Sequence, residues 1–356
     1  MNLLVLPGDH IGPEITEAAV SVLEEAQRLL GLSLALERAA VGYASLEETG
    51  YTLPDEVLAK ARSADGIILG PCDTYGYPPV DKGGANPSSK LRVALDLYAN
   101  VRPSRTVAGV PARVPAMDLV IVRENTEGFY ADRNMYAGSG EFMPTPDVAL
   151  AVRKITREGS RRVARAACEI ALQRGKKLTV VSKANVLKLS DGLFLREAQE
   201  VAAGYPGLAV EHVLVDAMAS LLVRSPEAFD VIVTTNMFGD ILSNQAAELS
   251  GGLGLAASLN AGDARAMAQA SHGSAPDLAG EGAANPGALI LSVAMLLDWL
   301  GRRHAKPELA RAATLIQRAT DEALAGPATR TRDLGGSLGT MAFAKAVCAR
   351  IAARAA

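Results

Sequence analysis

Two oxygen-bearing side chains, Asp240 and Asn244, have the spacing of a site for a hard metal ion. They follow a short apolar strand, and on a helix that begins there they share one face, one turn apart. A second acid, Asp216, ends the run 213–215. Oxygen ligands from separate elements suit Mg²⁺ or Mn²⁺, with water and substrate completing the coordination. The alternative is structural: Asp240 caps a helix and Asp216 ends a strand.

Three arginines, Arg92, Arg102 and Arg123, lie beside turns and strand ends. Because a guanidinium group matches a carboxylate in a bidentate way, together they could hold a small molecule with several carboxylates. Singly, each is better explained by a surface ion pair. Tyr130 is by default a half-buried packing residue. Lys183 stands just past a β-branched run, where a lysine can serve as a base if its surroundings lower its pKa.

The elements that must position these residues alternate between short apolar strands and helices. Strands are predicted at 3–6, 66–69, 119–122, 178–181 and 231–234, and helices at 13–30, 154–174 and 191–203. This alternation is typical of a layered α/β protein. The segment 252–257 formally fits the G-x-G-x-x-A dinucleotide pattern. No strand directly precedes it, so a glycine loop with positive φ is the better interpretation.

Composition narrows the class of protein and of partner. The 356 residues are 49% hydrophobic and 21% charged, which predicts a globular protein with a large core. With 36 Lys and Arg against 39 Asp and Glu and no polybasic run, nucleic acid and membrane surfaces are not expected partners. Cys72, Cys168 and Cys348 have no metal-ligand or disulfide pattern. Without a signal-peptide pattern or a spanning apolar run, a cytoplasmic location is predicted.

Six short motifs, in order along the chain, carry a specific resemblance. They are PGDHIGPE at 7–14, LYANVRP at 97–103, VRENTEGFY at 122–130, KAN at 183–185, GDILS at 239–243 and HGSAPD at 272–277. On these motifs, and on RDLGG at 332–336, the chain resembles the β-decarboxylating dehydrogenases. That family includes isocitrate, homoisocitrate, isopropylmalate and tartrate dehydrogenases. The resemblance extends from end to end.

The resemblance implies a layered α/β fold of the isocitrate/isopropylmalate dehydrogenase type, distinct from the Rossmann fold. A large discontinuous domain, 1–99 and 251–356, would bind the cofactor. A smaller central domain, 100–250, would carry the dimer interface and the metal and substrate residues, with the site in the cleft between the domains. In the family, the positions of Lys183 and Asp216 reach the partner subunit's cleft. The active form would therefore be a homodimer with shared sites.

The resemblance also implies roles for individual residues. Lys183 would accept the proton of the substrate's C2 hydroxyl, and Tyr130 would protonate the enolate. Asp216, Asp240 and Asn244 would hold Mg²⁺ or Mn²⁺. The residues implied to bind a small hydroxy-acid substrate are Arg92, Arg102, Arg123, Ser88, Ser89 and Asn185.

A loop near the third quarter of the chain is implied to bind NAD. Its residues are His272, Gly273, Ser274, Ala275, Asp277 and Asn285. In the family, the acid at the position of Asp277 lies on the ribose hydroxyls. A carboxylate there favours NAD and repels the 2′-phosphate of NADP.

The predicted reaction is NAD- and metal-dependent oxidative decarboxylation of a malate substituted at C3, of the isocitrate, homoisocitrate or 3-isopropylmalate type. The helix before Arg92 faces that substituent in the family. Here Ser88 and Ser89 make a small polar wall, poor for an isopropyl group and without charge for a distal carboxylate. A D-malate or tartrate type of substrate is therefore an open alternative.

Three residues depart from the usual family motifs. His10 stands where most members have glycine, Asn244 where a third metal-site acid is usual, and Gln269 where a glutamate is usual. These changes raise a further alternative, a non-catalytic regulatory subunit of the same family. The retained Tyr130, Lys183, Asp216 and Asp240 argue for an enzyme.

Overall fold

The computed structural model describes all residues except 131, 133, 134 and 356. Its strands, numbered in chain order, are β1 Asn2–Leu6, β2 Ala35–Arg38, β3 Gly66–Leu69, β4 Ala99–Arg105, β5 Asp118–Glu124, β6 Glu141–Thr145, β7 Val148–Ala151, β8 Lys177–Ser182, β9 Ala209–Leu214, β10 Val231–Thr234, β11 Leu259–Ala261 and β12 Ala266–Gln269. The helices are α1 Gly12–Leu30, α2 Tyr43–Thr49, α3 Asp55–Ser63, α4 Pro87–Ala94, α5 Arg157–Leu172, α6 Ser190–Ala202, α7 Val215–Arg224, α8 Asn236–Ser250, α9 Gly287–Arg303, α10 Pro307–Ala325 and α11 Thr340–Ala355. Within the described residues, no helix has the length and apolar character needed to cross a membrane.

The chain folds into two compact units. The first comprises Met1–Leu95, Thr106–Arg113 and Ser250–Ala356, and the second comprises Asp96–Arg105 and Val114–Leu249. The first unit is thus built from both ends of the chain, together with the short segment Thr106–Arg113.

The first unit is a sheet in the order β2-β1-β3-β12-β11, parallel except for the antiparallel pair β11 and β12. Helices α1, α9, α10 and α11 supply much of its core. Side chains that are wholly buried there include Ile15, Leu23, Leu289, Ile316 and Phe343. Helix α1 begins with a proline in its first turn and buries one face along its whole length. Its apolar spacing is therefore sufficient to predict both its existence and its orientation.

The second unit is a sheet in the order β4-β5-β10-β8-β9, in which β4 is antiparallel to β5 and the other pairs are parallel. Successive residues of β5 pack on opposite faces. Val120 and Val122 belong to a cluster with α5 and α6, whereas Leu119 and Ile121 belong to one with α7 and α8. Because both faces are covered, the central strands are almost continuously apolar.

The strands predicted at 66–69 and 231–234 are confirmed as β3 and β10 with the same bounds. The helix predicted over 154–174 is shorter, because the Thr156 side chain accepts a hydrogen bond from the Gly159 N–H and caps α5 at its start. Asp216 does not end a strand: β9 stops at Leu214, and Asp216 lies in the first turn of α7. The glycine loop is confirmed, with φ of 107° at Gly252.

Strands β6 and β7 form an antiparallel hairpin whose residues are all exposed. Its exposed side chains include Phe142, Met143, Val148 and Leu150. An isolated two-stranded hairpin is marginally stable in water. A cluster of exposed apolar side chains is typical of a surface that associates with another protein chain.

Candidate active site

The second unit brings four of the predicted residues together. Arg102 on β4 and Arg123 on β5 are both buried, and their guanidinium groups converge on Asp240 in α8. Arg102 Nη1 lies 3.0 Å from Asp240 Oδ1, and Arg123 Nη1 hydrogen-bonds to the same oxygen. Arg123 Nη2 donates to Tyr130 Oη at 2.6 Å, and that hydroxyl donates to Asp240 Oδ2 at 3.2 Å. The four side chains form one hydrogen-bonded cluster, hereafter the arginine–tyrosine cluster.

Local packing explains why this cluster forms. Helix α8 approaches β5 so closely that a Cβ at Gly239 would lie 2.6 Å from Cβ of Arg123, so only glycine fits there. Arg123 Nε donates to Asn236 Oδ1 at 2.9 Å, and Asn236 Nδ2 donates to the Glu127 carbonyl at 2.8 Å. These bonds attach the segment before Tyr130 to the start of α8.

The electrostatics of the cluster favour an anionic ligand. Burial, and then the neighbouring Arg123, lowers the pKa of Arg102 to about 10, which leaves it charged at neutral pH. Burial raises the pKa of Asp240, but the charges of Arg123 and Arg102 outweigh it and hold that pKa below its ordinary value. Two guanidinium cations therefore face one carboxylate. The net positive charge suits a dicarboxylate substrate.

Lys183 belongs to a second group in the same unit. It follows β8, and its Nζ lies 2.5 Å from Asp216 Oδ1. The hydrogen bond from Lys183 lowers the pKa of Asp216, so this exposed carboxylate is ionised at neutral pH. Asn185 lies in the exposed turn after Lys183. The side chain of Lys183 thus contacts Asp216, whereas that of Tyr130 belongs to the arginine–tyrosine cluster.

The loop that carries Lys183 is fixed by a buried ion pair that the sequence analysis missed. The wholly buried Asp191 accepts the Lys183 N–H at 2.6 Å through Oδ2 and Arg153 Nη1 at 2.5 Å through Oδ1. The Arg153 guanidinium lies over the rings of Phe129 and Phe238, 5.5 and 5.1 Å from their centroids. In the sequence, an acid in the first turn of a helix is indistinguishable from an ordinary end-of-helix charge.

Helix α8 carries the two oxygen-bearing side chains that were predicted to bind a hard cation. Asp240 and Asn244 lie one turn apart in the helix, and no described residue hydrogen-bonds to the Asn244 side-chain amide. Among the described residues, no group of three or more His, Cys, Asp and Glu side chains could hold a metal. The donors on α8 therefore fit a metal in kind, but a full coordination shell requires oxygens from outside this helix.

Helix α4 and strand β12 bring three polar side chains together in the first unit. Arg92 Nη2 and Ser88 Oγ each lie 2.9 Å from Gln269 Oε1. Ser88, Ser89 and Gln269 are all buried. The Ser89 N–H donates to Asn86 Oδ1 at 3.1 Å, which caps the start of α4. Gln269 thus contacts two predicted substrate residues, although the sequence identified it only as a departure.

The predicted cofactor loop offers unsatisfied polar groups. Burial lowers the pKa of His272, so its ring is neutral, and Nδ1 lies 2.9 Å from the Gly273 carbonyl. Because that carbonyl can only accept, Nε2 is left as an acceptor, and this buried atom has no partner among the described residues. Asp277 is exposed, and no described residue donates to its carboxylate. An acceptor nitrogen and a carboxylate fit a group rich in hydroxyls, such as a nucleotide.

Other residues of this loop maintain its shape. Asn285 uses both ends of its amide: Nδ2 donates to Asp333 Oδ2 at 2.9 Å, and Oδ1 accepts the Gly287 N–H at 2.8 Å. The carbonyl of the buried Ser274 accepts the Ile11 N–H at 3.2 Å. Ala275 has a φ of 42°, in the left-handed region that favours glycine. Gly273 has open space where a side chain would lie.

His10 has its own partners in the first unit. It adopts a φ of 53°, the left-handed region that favours glycine. Its Nε2 lies 3.1 Å from Asp73 Oδ2, which also accepts a hydrogen bond from Tyr43 Oη at 3.0 Å. The bond with His10 is the largest of several that hold the pKa of Asp73 below its ordinary value. His10, although it departs from the family motif, therefore has a hydrogen-bond partner in Asp73.

The fold and these residue sets define a dehydrogenase of the β-decarboxylating type. The chain belongs to the isocitrate/isopropylmalate dehydrogenase family, whose model matches residues 2–348. It is 41% identical over 345 residues to the 3-isopropylmalate dehydrogenase of Methanothermobacter thermautotrophicus. The aligned region covers 97% of this chain and 96% of that protein. It is 44% identical over 349 residues to the isocitrate/homoisocitrate dehydrogenase of Thermus thermophilus, covering 97% of each.

A solved structure agrees with the fold. The isocitrate dehydrogenase from Methylococcus capsulatus superimposes with a TM-score of 0.88 at 39% identity, over 98% of this chain and 99% of that one. The predicted family and fold class are thus confirmed. Relatives named for different substrates are about equally similar to this chain, so the choice of substrate must be argued from the site.

Proposed function

We propose that this chain catalyses the NAD-linked, divalent-metal-dependent oxidative decarboxylation of a malate substituted at C3. The arginine–tyrosine cluster carries the proposal. Two buried cations beside one carboxylate attract a dicarboxylate, and the Tyr130 hydroxyl lies among them as a proton donor. Isocitrate, homoisocitrate and 3-isopropylmalate, the substrates in the relatives' names, are the first candidates.

The proposed reaction has two stages. A hydride leaves C2 of the substrate while Lys183 accepts the proton of the C2 hydroxyl, which produces a 2-oxo acid with a carboxylate at C3. Loss of that carboxylate as CO₂ leaves an enolate, and Tyr130 donates a proton to C3. Arg102 and Arg123 hold the carboxylates in the reacting geometry. When bound, the nicotinamide takes up the hydride and the metal polarises the C2 oxygen.

The metal would be held by Asp240 and Asn244, with Asp216 of the partner subunit and the substrate adding further oxygens. We expect EDTA to abolish turnover and Mg²⁺ or Mn²⁺ to restore it. Asn244→Asp adds a charged ligand at an open position and should tighten Mn²⁺ binding by about tenfold, whereas Asp240→Asn should weaken it. Full turnover in metal-free buffer would rule out this mechanism. Calorimetric titration of Mn²⁺ measures the two variants independently of turnover.

NAD is proposed as the cofactor because Asp277 presents an exposed carboxylate, which would attract ribose hydroxyls and repel a 2′-phosphate. NADH or NADPH formation at 340 nm, with each malate derivative in turn, tests the proposal directly. The absence of turnover with every malate tested, by folded protein with Mn²⁺ present, would contradict the enzyme proposal. That result would favour the regulatory-subunit alternative.

A homodimer is proposed because the exposed hairpin β6–β7 needs a partner for its apolar side chains. In that dimer each site would use Tyr130 of one subunit and Lys183 of the partner subunit. The test mixes two inactive dimers, Tyr130→Phe and Lys183→Met, under conditions that permit subunit exchange. Half of the resulting dimers would be hybrids with one intact site each, so activity should recover to about a quarter of the wild-type value. No recovery, with exchange verified by mass spectrometry, would contradict a shared site.

A further inference from the structure

Glu14, the last residue of the motif at 7–14, has no role in the proposed reaction. It lies in the first turn of α1 and is half-buried. Its carboxylate accepts two backbone hydrogen bonds from one short segment of the chain. Oε2 accepts the Gly282 N–H and Oε1 accepts the Ala284 N–H, each at 3.2 Å. Glu14 therefore holds the end of the predicted cofactor loop, residues 272–285, next to Asn285.

The first residue of α11, Thr340, holds the same segment. Its N–H donates to the Gly282 carbonyl at 2.8 Å, and its hydroxyl donates to the Ala284 carbonyl at 2.7 Å. Thr340 is 1% exposed, so water competes little for these bonds, and its hydroxyl also lies 3.1 Å from Glu14 Oε1. Glu14 thus accepts from both backbone N–H groups, and Thr340 donates to both carbonyls. These two residues are hereafter the Glu14–Thr340 clamp.

The start of α1 lies beside the other end of the cofactor loop as well. The Ile11 N–H donates to the Ser274 carbonyl at 3.2 Å. Ser274 and Ala284 are buried, whereas residues 276–282 between them are exposed. Asp277 lies in this exposed stretch, where the backbone hydrogen bonds within the loop reach only three residues along the chain. The position of Asp277 therefore depends on the two ends at which the loop is held.

A carboxylate suits this task better than an amide of the same shape. Both carboxylate oxygens only accept, so each can face an N–H group at the same time. A negative charge is also favourable in the first turn of a helix. Glutamine in the place of Glu14 would direct an NH₂ group at one of the two backbone N–H groups and leave it without an acceptor. A loop held at both ends has less conformational freedom to lose when a ligand binds.

We propose that Glu14 is a positioning residue for NAD: with Thr340, it holds the end of the cofactor loop in the conformation that binds the cofactor. Glu14 acts through the backbone of residues 282–284. Its loss should therefore weaken cofactor binding and spare the chemical steps that follow. The inference rests on the proposed function, since binding of NAD by this loop is part of that function.

The first test measures the Kd of NADH by fluorescence titration, without substrate, so that no turnover is needed. In Glu14→Gln the Kd should rise by about tenfold, which corresponds to about 1.4 kcal/mol. Glu17→Gln is the matched control, because Glu17 lies in the same helix and pairs with Arg38 on the surface. Its Kd should stay within about twofold of the wild-type value. A wild-type Kd in Glu14→Gln would overturn the inference and leave the proposed function intact, whereas no NADH binding by folded wild type would overturn both.

The second test separates a positioning role from a general loss of structure. With whichever malate the wild type turns over, the KM of Glu14→Gln for NAD should rise by about tenfold, and kcat at saturating NAD should stay close to wild type. Hydrogen–deuterium exchange should become faster in residues 279–285 and stay unchanged in α9, which follows them. Faster exchange throughout α9, or a kcat that falls as much as KM rises, would contradict the positioning role.

A substitution on the other side of the clamp keeps the test decisive if Glu14→Gln proves unstable. Thr340→Val keeps the shape of the side chain but leaves the Ala284 carbonyl without its donor, so the Kd of NADH should rise by at least about threefold. Thr320→Val is its control, because Thr320 is also wholly buried and its hydroxyl donates to the Ile316 carbonyl at 2.8 Å, within α10. The control should bind NADH as the wild type does. An unchanged Kd in folded Thr340→Val, or an equal rise in both threonine variants, would show the inference to be wrong.

Discussion

Glu127 is a buried acid whose ionisation should be visible in the pH dependence of stability. Its side chain is 4% exposed, and its oxygens accept hydrogen bonds from Thr156 N at 2.9 Å and Thr156 Oγ1 at 2.7 Å. Burial, and then the nearby charge of Glu124, raises the pKa of Glu127 to about 7. The bonds from Thr156 and the charge of Lys154 oppose that rise without cancelling it.

The sign and the size of the effect follow from the proton balance. Between pH 4.5, the ordinary pKa, and about pH 7, the folded state holds a proton that the unfolded state has released. The free energy of unfolding therefore falls as pH rises through this range. At about 1.36 kcal/mol per pH unit, the loss amounts to about 3 kcal/mol. The stabilisation by the protonated carboxyl is complete below pH 4.5 and is lost as pH rises through 7.

The assay is urea unfolding followed by circular dichroism between pH 4.5 and 8 at constant ionic strength. Glu127→Gln keeps the shape of the side chain but removes its titration, so its unfolding free energy relative to wild type should rise with pH by about 3 kcal/mol. Any loss from a mismatched amide would be the same at every pH. Glu158→Gln, an exposed acid in the first turn of α5, is the control and should follow the wild type. Parallel pH profiles for Glu127→Gln and wild type would refute the reasoning.

Three further predictions concern other residues. His10→Gly relieves the left-handed backbone and His10→Ala does not, although both lose the bond to Asp73, so urea unfolding should find the glycine variant more stable by about 1 kcal/mol. Asp277→Lys should shift the kcat/KM ratio toward NADP by about tenfold or more, and a wild type that already prefers NADP would contradict this. Asp191→Asn removes the anion beside a buried cation and should cost about 3–5 kcal/mol in unfolding free energy. Asp191→Asn should also loosen the loop that carries Lys183, so the kcat of this variant should fall by a larger factor than its KM rises. Equal factors for kcat and KM would argue against a positioning role for Asp191.

The sequence predicted the framework of both units because buried parallel strands have a distinct pattern. Runs such as 66–69 and 231–234 are wholly buried and almost entirely apolar, and they match β3 and β10. The exposed strands β6 and β7 were missed because they show no continuous apolar run. The end of β9 at Leu214 was placed too late because Val215 continues the apolar run into α7.

The contacts within the site were less predictable than its residues. Arg102 and Asp240 are separated by 138 residues, and Ser88 and Gln269 by 181, so no local spacing indicates that they touch. The family motifs identified most of these side chains singly. Which donor faces which acceptor depends on how the strands and helices pack, and the sequence does not show this packing.

The three departures from the family motifs argue for a site that has been altered, not for one that has been lost. In an eroded site, a replaced polar residue would leave its former neighbours without hydrogen bonds, which is costly when they are buried. His10 instead pairs with Asp73, and Gln269 holds both Ser88 and Arg92. Asn244 alone has no described partner, and it lies one turn from Asp240, where a metal would need an oxygen. Mn²⁺ binding to the Asn244→Asp and Asp240→Asn variants therefore separates an enzyme from a regulatory subunit.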